Sequence, residues 1–462
     1  MTSTPADLAS SMRRRHATVL RTVLATFLHK LRVLGWRGSA ERAWTIVSRD
    51  GLSGIHARVR NWARTSPPVQ NADSGTVITP NRVELEARAG GINLVGHPYG
   101  ALGMGEHIRK SAQAFAAAHV PFAIVNTFGQ LGAHADKFPE FPFIERIGRD
   151  NPYPVSLFHM NADEMKLASA HLGATFFENK YNIGYWAWEL ARFPDAWISA
   201  FAFFDEIWAP SRFIQQAIAD KAPCPVIHMP LAVDFHLSER LPRAHFGLPE
   251  RRFLFLFFFD FTSFVTRKNP LGALAAFRRA FPPGSRSDVA LVIKVNGTEQ
   301  KQSEYRRFLQ ELGERDPSLI LIDRVMTDHE VRNLVQTCDA FVSLHRSEGF
   351  GRGLAEAMFY GRPVIGTAYS GNLDFMNPDT ACLVDAVLVP VREGEYPHPQ
   401  GQLWAEPDVE QAADYMRKLV LDPAWAGALG ARAAAYMHAH HSFAAIGARY
   451  RRRLMQLGFT GS

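Results

Sequence analysis

Two glutamates, Glu348 and Glu356, stand eight residues apart in the segment RSEGFGRGLAEAMFYGRPVIGTAYSGNLDFM, which runs from Arg346 to Met376. A Gly-Phe-Gly turn, formed by Gly349, Phe350 and Gly351, follows the first of them. The apolar run Ala340–His345 before the turn reads as a strand, and the pattern from Arg352 onward reads as a helix. Glu348 is thereby placed in a loop at a strand's carboxyl end, with Glu356 one turn into the next helix. Both can face one ligand. Each carboxylate oxygen accepts two hydrogen bonds, which suits the hydroxyls of a sugar or a ribose. Backbone amides from Gly349 to Gly353 open the helix, where they and its dipole favour phosphate oxygens. As a bare spacing, two glutamates eight apart also arise on any solvated helix face. The turn, the strand before it and the next strand at Pro363 make the segment informative.

These groups need a scaffold, and the chain supplies an alternating one from residue 90. Strands are expected at Gly91–His97, Pro121–Thr127, Val155–Asn161, Ile183–Trp188, Glu206–Ala209 and Pro225–Pro230. A helix is expected near Glu106–Ala118. After a polar connection, Asp234–Arg251, a second series follows. Its strands are Phe253–Asp260, Ala290–Asn296, Leu319–Ile322, Ala340–His345, Pro363–Thr367 and Ala381–Val384. Helices fit at Pro270–Phe281, Glu299–Leu312, Asp328–Thr337 and Arg352–Tyr360, with a last helical stretch at Ala424–Leu457. Continuous apolar strands separated by helices imply parallel sheets covered on both faces. The fold class is α/β: two Rossmann-like, doubly wound domains facing a cleft where the carboxyl ends of both sheets meet.

The 462 residues carry a formal charge of +6, unevenly spread. Residues 1–64 hold 12 Lys and Arg against 3 acids, while the remainder holds 39 basic against 42 acidic residues. The basic character therefore belongs to an N-terminal extension and does not indicate a nucleic-acid binder. The extension contains an imperfect echo, Gly35-Trp36-Arg37-Gly38 and Gly51-Leu52-Ser53-Gly54, each followed by arginine and tryptophan. It reads either as basic amphipathic helices lying on anionic lipid or as a helical cap without a partner. Thr65–Pro80, rich in Pro, Ser, Asn and Thr, reads as a linker. Three dispersed cysteines, Cys224, Cys338 and Cys382, fit a reducing compartment and no zinc site. No signal peptide or spanning helix is expected, because Arg21, Lys30 and Arg32 interrupt the first apolar stretch. A cytoplasmic protein follows, with peripheral attachment to the inner face of the membrane as an option.

Glu348 and Glu356 within EGFGRGLAEAM resemble the E-x7-E signature of retaining GT-B glycosyltransferases, above all glycosyltransferase family 4 (glycosyl transferases group 1). Gly361-Arg-Pro-Val-Ile365 and Ser370-Gly-Asn372 are similar to that family's donor domain. The segment GYWAWELARFPDAWISAFAFFDEIWAPSRF, residues 184–213, is similar to one in bacterial members that build surface polysaccharides. The resemblance covers about residues 90–455. With the basic extension and linker set at 1–80 by composition, it implies an acceptor domain at 81–234 and a nucleotide-sugar donor domain at 235–440. A C-terminal helix at 441–462 would then return to the first domain.

The implied reaction is metal-free, retaining transfer of a hexose of mannose or glucose type. The donor is a nucleotide-diphosphate sugar, and the acceptor is a saccharide or lipid-linked. Glu356 would bind the ribose, and Glu348 the transferred sugar. The amides around Gly349, Phe350 and Gly351 would lie near sugar or pyrophosphate. Lys268 sits where the family's phosphate-binding lysine is expected, but Thr262 occupies the region of its arginine. Arg267 could compensate, as could Lys294 at the end of an apolar strand, where a lysine snorkelling to the surface is the other reading. The loop Tyr99–Glu106 is similar to the family's glycine-rich loop, with Gly103 and Gly105 permitting close approach to the donor. His159 ends a strand where the family often places a histidine beside the sugar; a satisfied core histidine is the other reading. Trp186, Trp188 and Glu189 lie at another strand end, as an acceptor wall or as core. A GT-B sugar-nucleotide epimerase, a phosphorylase and a non-catalytic scaffold share the architecture. A nicotinamide-dependent oxidoreductase does not fit, because no GxGxxG follows a strand with an acidic residue about 20 positions on.

Overall fold

A computed structural model describes residues 90–100, 103–128, 141–313 and 316–459. The basic extension, its internal echo and the linker lie outside the described residues. The first sheet contains β1 (Ile92–Gly96), β2 (Phe122–Asn126), β3 (Ile147–Gly148), β4 (Val155–His159), β5 (Tyr181–Tyr185), β6 (Glu206–Ala209) and β7 (Val226–His228). All are parallel, in the order β3-β2-β1-β4-β5-β6-β7. The second sheet contains β8 (Phe253–Asp260), β9 (Val289–Asn296), β10 (Leu319–Asp323), β11 (Ala340–Ser343), β12 (Val364–Thr367) and β13 (Cys382–Val384). It is parallel too, in the order β10-β9-β8-β11-β12-β13. Both orders start from a central strand and reverse direction beside it, which opens a crevice at the carboxyl ends.

The burial pattern explains the architecture. In β8, Phe255, Phe257 and Phe259 enter one core with Ala273, Ala276 and Phe277 of the Pro270–Ala280 helix. Leu254 and Leu256 enter the opposite core with Leu354, Ala355 and Met358 of the Arg352–Phe359 helix. A strand apolar on both faces can only be central and helix-covered.

Three features depart from the sequence reading. The last helical stretch is two helices, Pro423–His441 and Phe443–Gln456, because the Ser442 hydroxyl accepts from the Ala445 amide and caps the second. β3 has two residues, too few to leave a periodic signal. An antiparallel hairpin, β14 (Ala386–Pro390) and β15 (Leu403–Pro407), follows β13. Its connection runs through charged residues, Pro and Gly without a two-residue turn signature. None of the described helices is long and apolar enough to cross a membrane.

The Phe443–Gln456 helix packs on the Gly103–Ala117 helix of the first domain. The Phe115 and Tyr450 rings meet at 4.6 Å, and Ser111 and Tyr450 share a hydrogen bond of 3.3 Å. At Gly447 a methyl group would overlap the Ala114 carbonyl oxygen. Gly447→Ala is expected to destabilise the protein by about 1–3 kcal/mol, the usual cost of forcing volume into a packed contact. Urea unfolding measures it, and an unchanged midpoint would show that the helices do not meet this closely.

Candidate functional site

A cleft of about 1150 Å³ runs between the carboxyl ends of the two sheets. Its floor on the second domain starts with the loop after β11. Gly351 takes a positive φ of 91° there and lets the chain turn directly into the Arg352–Phe359 helix. The first-turn amides of that helix have no intrahelical acceptor and open on the cleft. Gly349 is pressed against the first domain: a side chain there would crowd Ile214 and the Trp188 carbonyl. Its own carbonyl accepts from Ser211 Oγ at 2.6 Å. Phe350 contributes backbone to the cleft while its ring packs on Phe375 and His441.

Arg267 and Lys268 are delivered by a single helical turn, Val265–Lys268. Left-handed residues bracket it, Phe264 at φ 60° and Asn269 at φ 52°. Asn269 is locked by donating to the Leu344 carbonyl at 2.8 Å and by accepting from Gly272 N at 3.2 Å. Phe264, exposed and aromatic, is held in a conformation that such residues rarely adopt. Lys268 donates to Glu348 Oε1, and Arg267 Nη1 lies 3.3 Å from the same oxygen. Arg267 also donates to the Ser347 carbonyl at 2.9 Å, while its buried Nε has no partner among the described residues. Burial raises the Glu348 pKa, but Lys268, Arg267 and His345 outweigh it and hold the carboxyl at about 2. Burial lowers the Lys268 ammonium below its ordinary value, with Glu348 opposing.

Glu356 is 7% exposed and accepts from Arg352 Nη2 at 2.9 Å. The same guanidinium reaches across the cleft to Glu106 on the first domain, which Arg332 also approaches at 3.8 Å. Burial and the nearby Glu106 charge raise the Glu356 pKa. At the half-buried Glu106 desolvation acts upward, but Arg352, Lys110 and Arg332 outweigh it and bring the carboxyl to about 2. Neither Glu106 nor Arg352 was assigned a role from sequence. Arg352 is visible there as the helix start, but its partner lies in another domain.

Lys294 lines a different stretch. It pairs in register with Phe258, donates to Asn296 Oδ1, and is lowered to about 8 by burial, against which the Asp260 charge acts most. It does not join Arg267 and Lys268 around Glu348.

Two expectations need correction, and one open alternative is decided. His159 is 0% exposed and does not line the cleft; it lies behind His107 (rings 4.6 Å apart) and beside Tyr185. Burial pushes it to about 3, so it is a neutral core group. The cleft-lining histidines on that side are His97, stacked on Phe128, and His107. Gly105 does line the cleft, but its missing side chain serves packing: a methyl would overlap the Gly100 carbonyl. Gly103, with open space around it, retains the close-approach reading. Trp186 and Trp188 are buried core, whereas Glu189 in the same loop lines the cleft.

Residues 243–436 match the family model described as glycosyl transferases group 1. The whole pair of domains resembles solved structures with the same arrangement. The glycosyltransferase of Rickettsia africae aligns with a TM-score of 0.59 at 13% identity, over 80% of this chain and 98% of that one. Alr3699/HepE of Anabaena, solved in complex with UDP-glucose, gives 0.58 at 13%, over 79% and 100%. Sucrose-phosphate synthase of Thermosynechococcus elongatus gives 0.55 at 17%, over 80% and 99%. At such identities the likeness establishes a shared fold. The comparison with curated proteins returned no match. A GT-B glycosyltransferase is what the domain match and the fold support.

In this GT-B cleft the Glu348 cluster has a signature in pH. The carboxyl has an ordinary value of 4.5 and is held at about 2 in the folded protein. Its contribution is therefore fully present above the unfolded value and is lost as pH falls through the folded one. The stability advantage of wild type over Glu348→Gln should shrink as pH is lowered from about 5 toward 3. Urea midpoints of both proteins across that range measure it; a difference flat with pH would remove the pairing.

Proposed function

We propose that the protein is a retaining GT-B glycosyltransferase that moves a hexose from a nucleotide-diphosphate sugar to a saccharide or lipid-linked acceptor. The observation that carries this reading is the pair Arg267 and Lys268, held against Glu348 beside the first turn of the Arg352–Phe359 helix. A buried cation, a half-buried one beside it and the open first-turn amides are what a departing diphosphate requires. Positive charge opposite the leaving group comes from these side chains, so the reading needs no metal.

In this account Glu356 takes the ribose hydroxyls, and Glu348, fixed by Lys268, offers its second oxygen to the hydroxyls of the transferred sugar. The bond from the anomeric carbon to the diphosphate oxygen breaks as the acceptor oxygen bonds to that carbon from the same face. The acceptor's proton passes to the departing phosphate oxygen. Atoms and charge balance, and the configuration is retained.

Alr3699/HepE is described in complexes with UDP and with UDP-glucose, which favours a nucleotide-sugar donor here as well. Bacterial surface-polysaccharide synthesis is the setting we infer from residues 184–213. The basic N-terminal arm would hold the enzyme on the anionic inner face of the cytoplasmic membrane, near a lipid-linked acceptor.

A thermal-shift series with UDP, GDP, ADP and their common sugars, each with and without magnesium, tests the reading. One nucleotide family should stabilise the protein without metal, by about 2.7 kcal/mol at a hundredfold excess over Kd. Glu356→Ala should lose most of that shift. Failure of every nucleotide to stabilise the wild-type chain would sink the proposal.

A further inference from the structure

The hairpin β14–β15 belongs to the second domain by chain order, yet its loop docks on the first. Val391, Tyr396 and Trp404 are buried in the core cluster that includes Trp186, Trp188 and Phe193. Gln402 exchanges two hydrogen bonds with the Arg192 backbone, donating to its carbonyl at 2.7 Å and accepting from its amide at 3.2 Å. Tyr396 packs on Trp188 at 5.6 Å and on the strained Phe264 at 4.8 Å. Its ring lies 5.7 Å from the Arg267 guanidinium.

The Tyr396 hydroxyl donates to Glu189 Oε2. The other oxygen, Oε1, faces Arg267 Nη2 at 3.9 Å, beyond a direct hydrogen bond. Glu189 lines the cleft with its side chain 25% exposed, and its backbone carbonyl accepts from Ser347 Oγ. One guanidinium, that of Arg267, therefore separates Glu189 from Glu348. Glu189 comes from the carboxyl end of β5 in the first domain, whereas Glu348 comes from the second.

We propose that Glu189 is the hydroxyl-binding group of the acceptor subsite, and that Tyr396 of the hairpin is the positioning residue that sets it. The subsite takes a saccharide hydroxyl: a carboxylate with one oxygen pinned and the other open accepts O–H and fixes its direction. It is built from both domains and is complete only with the hairpin docked. The proton of that hydroxyl still leaves with the diphosphate, so Glu189 orients the nucleophile and ends the step as it began. The inference rests on the glycosyl-transfer reading above.

The test uses the full chain with its stabilising nucleotide sugar and a panel of free saccharides: glucose, galactose, mannose and N-acetylglucosamine. Released nucleoside diphosphate counts total turnover, glycosylated product counts transfer, and the difference is hydrolysis. Tyr396→Phe removes one hydroxyl and keeps the ring, so folding is preserved; Glu189→Gln changes one charge. Each should lower the ratio of transfer to hydrolysis about tenfold, the weight of one oriented hydrogen bond. The double variant should be no worse than Glu189→Gln alone, because the two act as one unit. A purely structural tyrosine would instead lower the melting temperature and leave the ratio unmoved. An unchanged ratio, or additive effects, overturns the assignment. So does hydrolysis by wild type without transfer to any saccharide in the panel. Absence of any donor-induced stabilisation would be a different result, since it removes the glycosyl-transfer reading itself.

Discussion

Carboxylates buried between two apolar-cored domains are tolerable only with cations at contact distance, and much of this molecule follows from that constraint. Glu348 needs Lys268 and Arg267, which the one-turn helix between Phe264 and Asn269 presents. Glu356 and Glu106 need Arg352, and Glu106 lies across the cleft from it. Separating the domains would strip Arg352 from one of its two partners. Charge pairing therefore sets both the local geometry of the site and the relative placement of the sheets.

The parallel sheets were legible because their strands carry a plain signal. Phe253–Asp260 is apolar on both faces, and a run of that length between helices has few other destinations. The Glu348–Glu356 segment was legible because turn, strand and helix are local, and local structure fixes where both side chains emerge. His159 was misplaced since strand periodicity says which face a residue takes but not how deep the strand end lies. Its ring is covered by His107, which belongs to a helix more than 50 residues earlier. Arg352–Glu106 was invisible for a related reason: nothing near either residue marks the other. The hairpin gave no signal because β14 is exposed along most of its length and lacks the alternation that marks a half-buried strand. Its buried anchors, Tyr396 and Trp404, pack against a different domain.

Positive φ at non-glycine residues occurs at several places among the described residues, including Ser370 and His398, but one pair brackets the site's cations. Phe264 and Asn269 both hold positive φ around the turn that carries the cations. Asn269 is secured by bonds to Leu344 and Gly272, while Phe264 accepts from the Arg267 amide at 3.0 Å through its carbonyl and packs its ring on Tyr396 of the hairpin. The placement of Lys268 thus depends on a residue of the docked hairpin as well as on its own helix.

The chain passes between the two domains twice, after Met229–Asp234 and again at His441–Ser442. Those passages lie side by side: Val233 N donates to the His441 carbonyl at 2.7 Å, and Asp234 accepts from the Phe443 amide at 3.0 Å. Lys110, reaching the Asp234 carbonyl at 2.8 Å, binds the same spot to the first domain. Two adjacent covalent tethers define a pivot line and suppress sliding or twisting about other directions. Any relative motion is then a swing about that line, and the groups farthest from it travel most. The crossing has the form of a mechanical bearing: the contacts nearest it, such as Val233 to His441, would move least in such a swing.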